Sequence, residues 1–122
     1  MSAKADPDVK KAIEAHRQQT ILANQQIAIL NAQLEALNVK QRRSEIIEQE
    51  LKTLPADAVT YRAIGRMFIK KNLPVIIEDI VHDRDLVNTS IETLKKNKEV
   101  ISNGLNASKD SLLELLNSKQ AA

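Results

Sequence analysis

The feature that most limits what this chain can fold into is a set of thirteen positions in its second half, spaced alternately four and three residues apart. They are Leu73, Ile77, Ile80, Arg84, Val87, Ile91, Leu94, Lys98, Ile101, Leu105, Ser108, Leu112 and Leu115. A mean spacing of 3.5 residues puts these side chains on one stripe of an α-helix, the seam that a second helix covers in a coiled coil. The rhythm runs unbroken over six heptads. Asn72, followed by Leu73-Pro74, offers a cap and a first-turn proline, which predicts a helix from about Pro74 to Lys119. Gly104 lies inside that helix, where glycine costs about 1 kcal/mol, and reads as a soft spot through which the seam still passes in register.

The first half carries the same rhythm at Val9, Ile13, His16, Thr20, Ala23, Ile27, Leu30, Leu34 and Leu37. Its phase slips over the polar stretch Lys40 to Ser44 and resumes with Ile47, Leu51 and Leu54, which predicts a local change of supercoil. Asp6-Pro7 is a helix start and Pro55 a helix stop, so this helix is expected from Pro7 to Leu54. Two near-equal helices, each roughly 70 Å long, fold back antiparallel. Symmetric folding places residue i near residue 129 minus i, bringing Arg42 and Arg43 within about a turn of Asp83 and Asp85. That pairing accounts for the basic cluster Lys40, Arg42 and Arg43. The expected fold is mainly α: one domain over residues 1–122, a long antiparallel two-helix coiled-coil hairpin with a short β-hairpin at its midpoint. Parallel pairing of helices from two chains would leave that midpoint without a purpose.

Composition agrees with a rod and narrows the function. One Phe, one Tyr and no Trp in 122 residues cannot build a thick core. A net charge of +2, from 18 basic and 16 acidic residues, is too balanced for nucleic acid to be an expected partner. The absence of cysteine suits a reducing compartment, and the polar, charged start from Met1 to Lys11 shows no signal peptide, so the cytoplasm is the expected location. Gln18 to Leu34 lacks charge but holds seven Asn and Gln residues, so no membrane span is expected.

Between the helices, Val59 to Ile64 and Met67 to Lys71 are rich in β-branched and aromatic residues and flank Gly65-Arg66, the pattern of a β-hairpin over 59–71. Both aromatic residues of the chain lie here. A lone two-stranded hairpin is marginal in water and leaves its strand edges open, so this one is expected to pair with strands of other subunits. Tyr61, Ile64, Gly65, Met67, Phe68 and Ile69 are the candidate assembly residues.

The run Thr60-Tyr61-Arg62-Ala63-Ile64-Gly65-Arg66-Met67-Phe68-Ile69, set between two equal coiled-coil helices, resembles the central segment of β-type prefoldin subunits. Gly65-Arg66-Met67-Phe68 is its specific element, and the resemblance spans nearly the whole chain. It implies a heterohexamer of two α-type and four β-type prefoldin subunits, joined by β-hairpins into a platform from which coiled-coil arms project. It further implies an ATP-independent chaperone that binds unfolded or nascent polypeptides such as actin and tubulin and delivers them to a cytosolic group II chaperonin. In the family, apolar residues at the free arm tips hold the client, and these correspond by position to Val9, Ile13, Leu112, Leu113, Leu115 and Leu116. Four leucines so close together exceed what a two-stranded seam needs: either two fill it and two face outward, or all four cap it.

No catalytic, cofactor or metal site is legible. His16 and His82 lack a second His or Cys at i+3 or i+4, and neither a nucleophile–base constellation nor a Gly-rich phosphate loop is present, so no enzymatic activity is expected. The competing function is a structural coiled-coil adaptor that binds one folded partner.

Overall fold

The computed structural model describes residues 6–121, so the first five residues of the polar start from Met1 lie outside the described residues. In chain order the elements are α1 (Pro7–Lys52), β1 (Thr60–Ile64), β2 (Met67–Lys71) and α2 (Leu73–Ala121). They form two compact units. One combines α1 up to Gln33 with α2 from Leu94 onward, and the other is the continuous stretch Leu34–Thr93, which holds the hairpin.

Local chemistry sets the helix ends. Asp6 caps α1: its Oδ1 accepts the amide of Asp8 at 2.8 Å and its carbonyl accepts the amide of Lys10 at 3.1 Å. The helix stops at Lys52, two residues before the expected end. Leu54 precedes Pro55, whose ring disfavours the α conformation in the residue before it. Thr53 and Leu54 therefore close the helix with amide bonds to the carbonyls of Glu50 and Leu51, both 3.2 Å, and the Thr53 hydroxyl adds a bond to Glu50 at 2.7 Å. At the start of α2 the carbonyl of Asn72 accepts the amides of Val75 and Ile76 at 3.0 and 3.1 Å. Pro74 stands in the first turn, where no intrahelical donor is needed.

Within each unit the helices pair antiparallel. Asp6, which caps α1, and His16 within it meet Lys119 and Ser108 of α2 in one unit, while Gln41 and Glu48 meet Asn88 and Arg84 in the other. These partners follow the symmetric register to within about a turn and a half. All thirteen seam positions of α2 are buried or half-buried. In α1 the seam differs from expectation at two places. Ala12 turns inward where Ile13 was expected, and the stretch after Leu37 does not slip.

The four-three rhythm in the hairpin-bearing unit continues through Gln41, Ser44, Glu48 and Leu51, all half-buried, whereas Ile47 and Leu54 are exposed. The slip read from apolar residues is an effect of polar residues occupying true seam positions. The Gln41 side-chain amide donates to the Asn88 side-chain oxygen, Glu48 pairs with Arg84 at 2.5 Å, and the Ser44 hydroxyl donates to the Gln41 carbonyl at 2.9 Å. Arg42 and Arg43, adjacent to this seam, project to the exposed side of α1. Among the described residues neither forms an ion pair with Asp83 or Asp85, and Asp83 binds Arg62 of β1 instead.

A seam between two helices buries little. The most covered apolar side chains among the described residues are Val9, Ala23, Leu34, Leu73, Val87 and Ile91 on the seam and Ile76 beside it. Gly104 sits in α2 with no atom within 4 Å of where a Cβ would stand. Gly104→Ala is thus expected to raise stability by about 0.5–1 kcal/mol by removing the backbone freedom of glycine in the unfolded chain. Thermal unfolding followed by circular dichroism should show a Tm higher by a few degrees. A lower Tm would mean that the alanine methyl is not accommodated.

Candidate functional site

Two surfaces carry the residues singled out by the sequence. The first is the hairpin. Its strands pair antiparallel from Thr60↔Lys71 to Ile64↔Met67 around the two-residue turn Gly65-Arg66. Gly65 has φ +61° and Arg66 does not share the positive sign, which is the type II′ arrangement that matches the twist of the strands. A non-glycine residue at position 65 would be strained there.

Side chains alternate across the strands, so register sorts the candidate residues into two faces. Tyr61, Ala63, Phe68 and Lys70 share one face. Thr60, Arg62, Ile64, Met67, Ile69 and Lys71 share the other, which Arg62 and Lys71 tie to α2: Arg62 binds Asp79 at 3.1 Å and Asp83 at 3.2 Å, and Lys71 binds Asp79 at 2.9 Å. The Thr60 hydroxyl donates to the Lys71 carbonyl and closes the open end. Tyr61, Ile64, Met67, Phe68 and Ile69 are all exposed, Phe68 the most, at 74%. In a two-residue loop the closing pair exchanges both ladder hydrogen bonds, and every second pair after it does the same. The backbone N–H and C=O groups of Tyr61, Ala63, Phe68 and Lys70 consequently point to the two open edges.

The second surface lies in the other unit, where the start of α1 meets the end of α2. Here the structure corrects the sequence reading for Val9, which is 3% exposed and packs in the seam, so it offers no surface. Ile13 and Leu113 are exposed at 46% and 47%. Leu112, Leu115 and Leu116 are half-buried, so three of the four leucines turn inward and one outward. Leu112 and Leu115 line a shallow groove of about 230 Å³ together with Ala12, His16, Gln19 and Ser108.

His16 and Ser108 do not form a nucleophile–base pair in that groove. The Ser108 hydroxyl gives its proton to Gln19 Oε1 at 2.5 Å, so the imidazole Nδ1–H must be the donor in the 3.1 Å contact with Ser108 Oγ. A larger groove in the same unit, about 580 Å³, is lined by Gln26, Ile29, Leu30, Gln33, Asn97, Val100 and Ile101. Sequence reading passed over it, because Ile29 and Val100 lie off the seam and look like isolated surface residues. Among the described residues no group of three His, Cys, Asp or Glu is placed to hold a metal, and no helix is long and apolar enough to cross a membrane.

A family model described as Prefoldin subunit matches residues 9–119. The chain belongs to the prefoldin subunit family. Prefoldin subunit 1 of Mus musculus is 25% identical over 121 residues, covering 99% of both chains, and that of Homo sapiens is 24% identical with the same coverage. The prefoldin subunit beta of Methanothrix thermoacetophila is 26% identical over 116 residues, covering 95% of this chain and 93% of its own. The crystal structure of the prefoldin beta subunit from Thermococcus strain KS-1 shares the fold, with a TM-score of 0.76 at 15% identity, covering 91% of this chain and 94% of that one. Family membership supports the role of a chaperone subunit, not an enzyme, that assembles with other prefoldin subunits.

Carboxylates on both units of this prefoldin chain are lowered from their ordinary values by their partners. The Lys71 hydrogen bond, with Arg62 adjacent, keeps the Asp79 carboxyl below its ordinary value against the upward push of partial burial. Asp6 is lowered by the Asp8 backbone amide and by Lys119. Glu48 is lowered from 4.5, first by its hydrogen bond from Arg84 and further by Lys52. In each case the folded value lies below the unfolded one, so the stabilisation is complete above the unfolded pKa and is lost as pH falls through the folded pKa. The thermal midpoint is therefore expected to be flat from neutrality down to about pH 5 and to fall below that. Glu48→Gln should lower the midpoint at pH 7 and make the acid decline shallower. An equally steep decline in the variant would show that Glu48 does not contribute to it.

Proposed function

We propose that this chain is a β-type subunit of a heterohexameric, ATP-independent holding chaperone in the cytoplasm, assembled with α-type and other β-type prefoldin subunits through its β-hairpin. The observation that carries this reading is the hairpin itself. Tyr61 and Phe68 lie exposed on a two-stranded sheet whose edge backbone donors and acceptors have no partner among the described residues. Such a sheet is stabilised by adding strands, and strands from sister subunits supply backbone partners and cover for the aromatics together. A single hairpin between the helices supports the β-type assignment.

Client capture is proposed for the exposed apolar residues where the start of α1 meets the end of α2, chiefly Ile13 and Leu113, with the half-buried Leu112, Leu115 and Leu116 available as the last turns fray. Val9 is left out of this set. Unfolded chains such as actin and tubulin are the proposed clients, and a cytosolic group II chaperonin the proposed recipient. This capture needs no cofactor, because exposed apolar surface binds apolar segments without chemistry.

Co-expression with the α-type and β-type prefoldin subunits of the same organism tests the assembly reading. Phe68→Asp or Ile64→Asp is expected to remove the chain from the complex seen by native mass spectrometry, since partner strands would bury an unpaired charge. An intact hexamer containing either variant would refute the platform role. For capture, Ile13→Ser combined with Leu113→Ser should leave assembly intact and weaken suppression of the aggregation of denatured actin by roughly a few-fold. If the wild-type complex itself gave no suppression at stoichiometric amounts, the adaptor function would replace the chaperone one.

A further inference from the structure

The hairpin is tied to α2 by charged side chains. Of its six side chains on the α2-facing side, the half-buried ones are Thr60, Arg62 and Lys71, whereas the apolar Ile64, Met67 and Ile69 are exposed. The contacts with α2 converge on one carboxylate. Asp79 Oδ2 accepts Arg62 Nη1 of β1 at 3.1 Å and Lys71 Nζ of β2 at 2.9 Å, and Asp83 takes the second Arg62 nitrogen at 3.2 Å. One oxygen thus ties both strands to the same helix.

A two-stranded sheet has no preferred buried face unless something supplies one, because a rotation about its long axis exchanges its two sets of side chains. Arg62 and Lys71 belong to the same set, and their shared partner fixes that set toward α2. The other set, Tyr61, Ala63, Phe68 and Lys70, is left facing away, and the same four residues carry the backbone groups that point to the open edges. The hydrogen bond from Lys71, with Arg62 beside it, lowers the Asp79 carboxyl below its ordinary value, which extends the tie toward acid pH.

We propose that Asp79 is the positioning residue for assembly: by binding Arg62 and Lys71 together, it sets which face of the hairpin is presented to a partner strand. The proposal rests on the assembly role given to the hairpin above. Apolar burial in the joined sheet provides the association energy, and Asp79 provides its geometry. Loss of the tie lets the hairpin sample orientations in which Tyr61 and Phe68 are turned away, which lowers the fraction of chains competent to join.

The test uses the full chain mixed with the α-type and β-type prefoldin subunits of the same organism, with apparent affinity read by native mass spectrometry over a concentration series. Asp79→Lys, which places a third cation beside Arg62 and Lys71, is expected to weaken incorporation about tenfold, and Asp79→Asn by less. Adding Lys71→Glu to Asp79→Lys re-forms a pair of opposite sign and should restore incorporation to within about threefold of wild type. Helical content by circular dichroism should stay at the wild-type level in all three. Wild-type incorporation of Asp79→Lys, or failure of the double variant to recover, would overturn the positioning role. Phe68→Asp separates this from the reading beneath it. If Phe68→Asp is excluded while Asp79→Lys assembles normally, the platform stands and the clamp falls. If both assemble normally, the platform role falls and the clamp with it.

Discussion

Everything in this chain depends on the burial of a single stripe along each helix against a single partner. Two helices cannot enclose a volume, so the apolar area removed from water is confined to positions three and four residues apart, and side chains on the other faces remain wet. Stability is therefore distributed in small increments along the seam. Val9, Ala23, Leu34, Val87 and Ile91 are well covered, and most other seam residues are only half-buried. This architecture tolerates Gly104 and polar seam residues that a compact core would exclude.

The polar seam positions have a role that apolar ones cannot fill. A leucine pairs acceptably with any leucine a heptad away, whereas the Gln41–Asn88 and Glu48–Arg84 pairs are satisfied in one register only. Their cost is the partial desolvation of two amides and two charges, offset by direct hydrogen bonds. Their effect is to specify the alignment of the two helices next to the hairpin.

The hairpin inverts the usual relation between composition and burial. It holds both aromatic residues of the chain, and both are exposed, while its charged Arg62 and Lys71 are its better covered side chains. An isolated protein gains nothing from that arrangement. A subunit gains from it in the assembly proposed above, where the exposed aromatics would become the covered part of a larger sheet, and the family to which the chain belongs is one of subunits.

Sequence alone determined the helix pair, the antiparallel register and the hairpin with its turn at Gly65-Arg66, because periodicity and turn chemistry are local properties. Tertiary structure decided what depends on a partner side chain distant in sequence. The apparent slip after Leu37 disappeared because Asn88 and Arg84 satisfy Gln41 and Glu48 across the seam, and a count of apolar residues cannot register a polar pair. Arg42 and Arg43 turned outward because one residue along a helix rotates a side chain by about 100°, so correct register did not guarantee contact. Ala12 faces the seam and Ile13 is exposed for the same rotational reason. The tie from Asp79 to both strands was invisible beforehand, since only the folded chain brings residues 62, 71 and 79 to one oxygen atom.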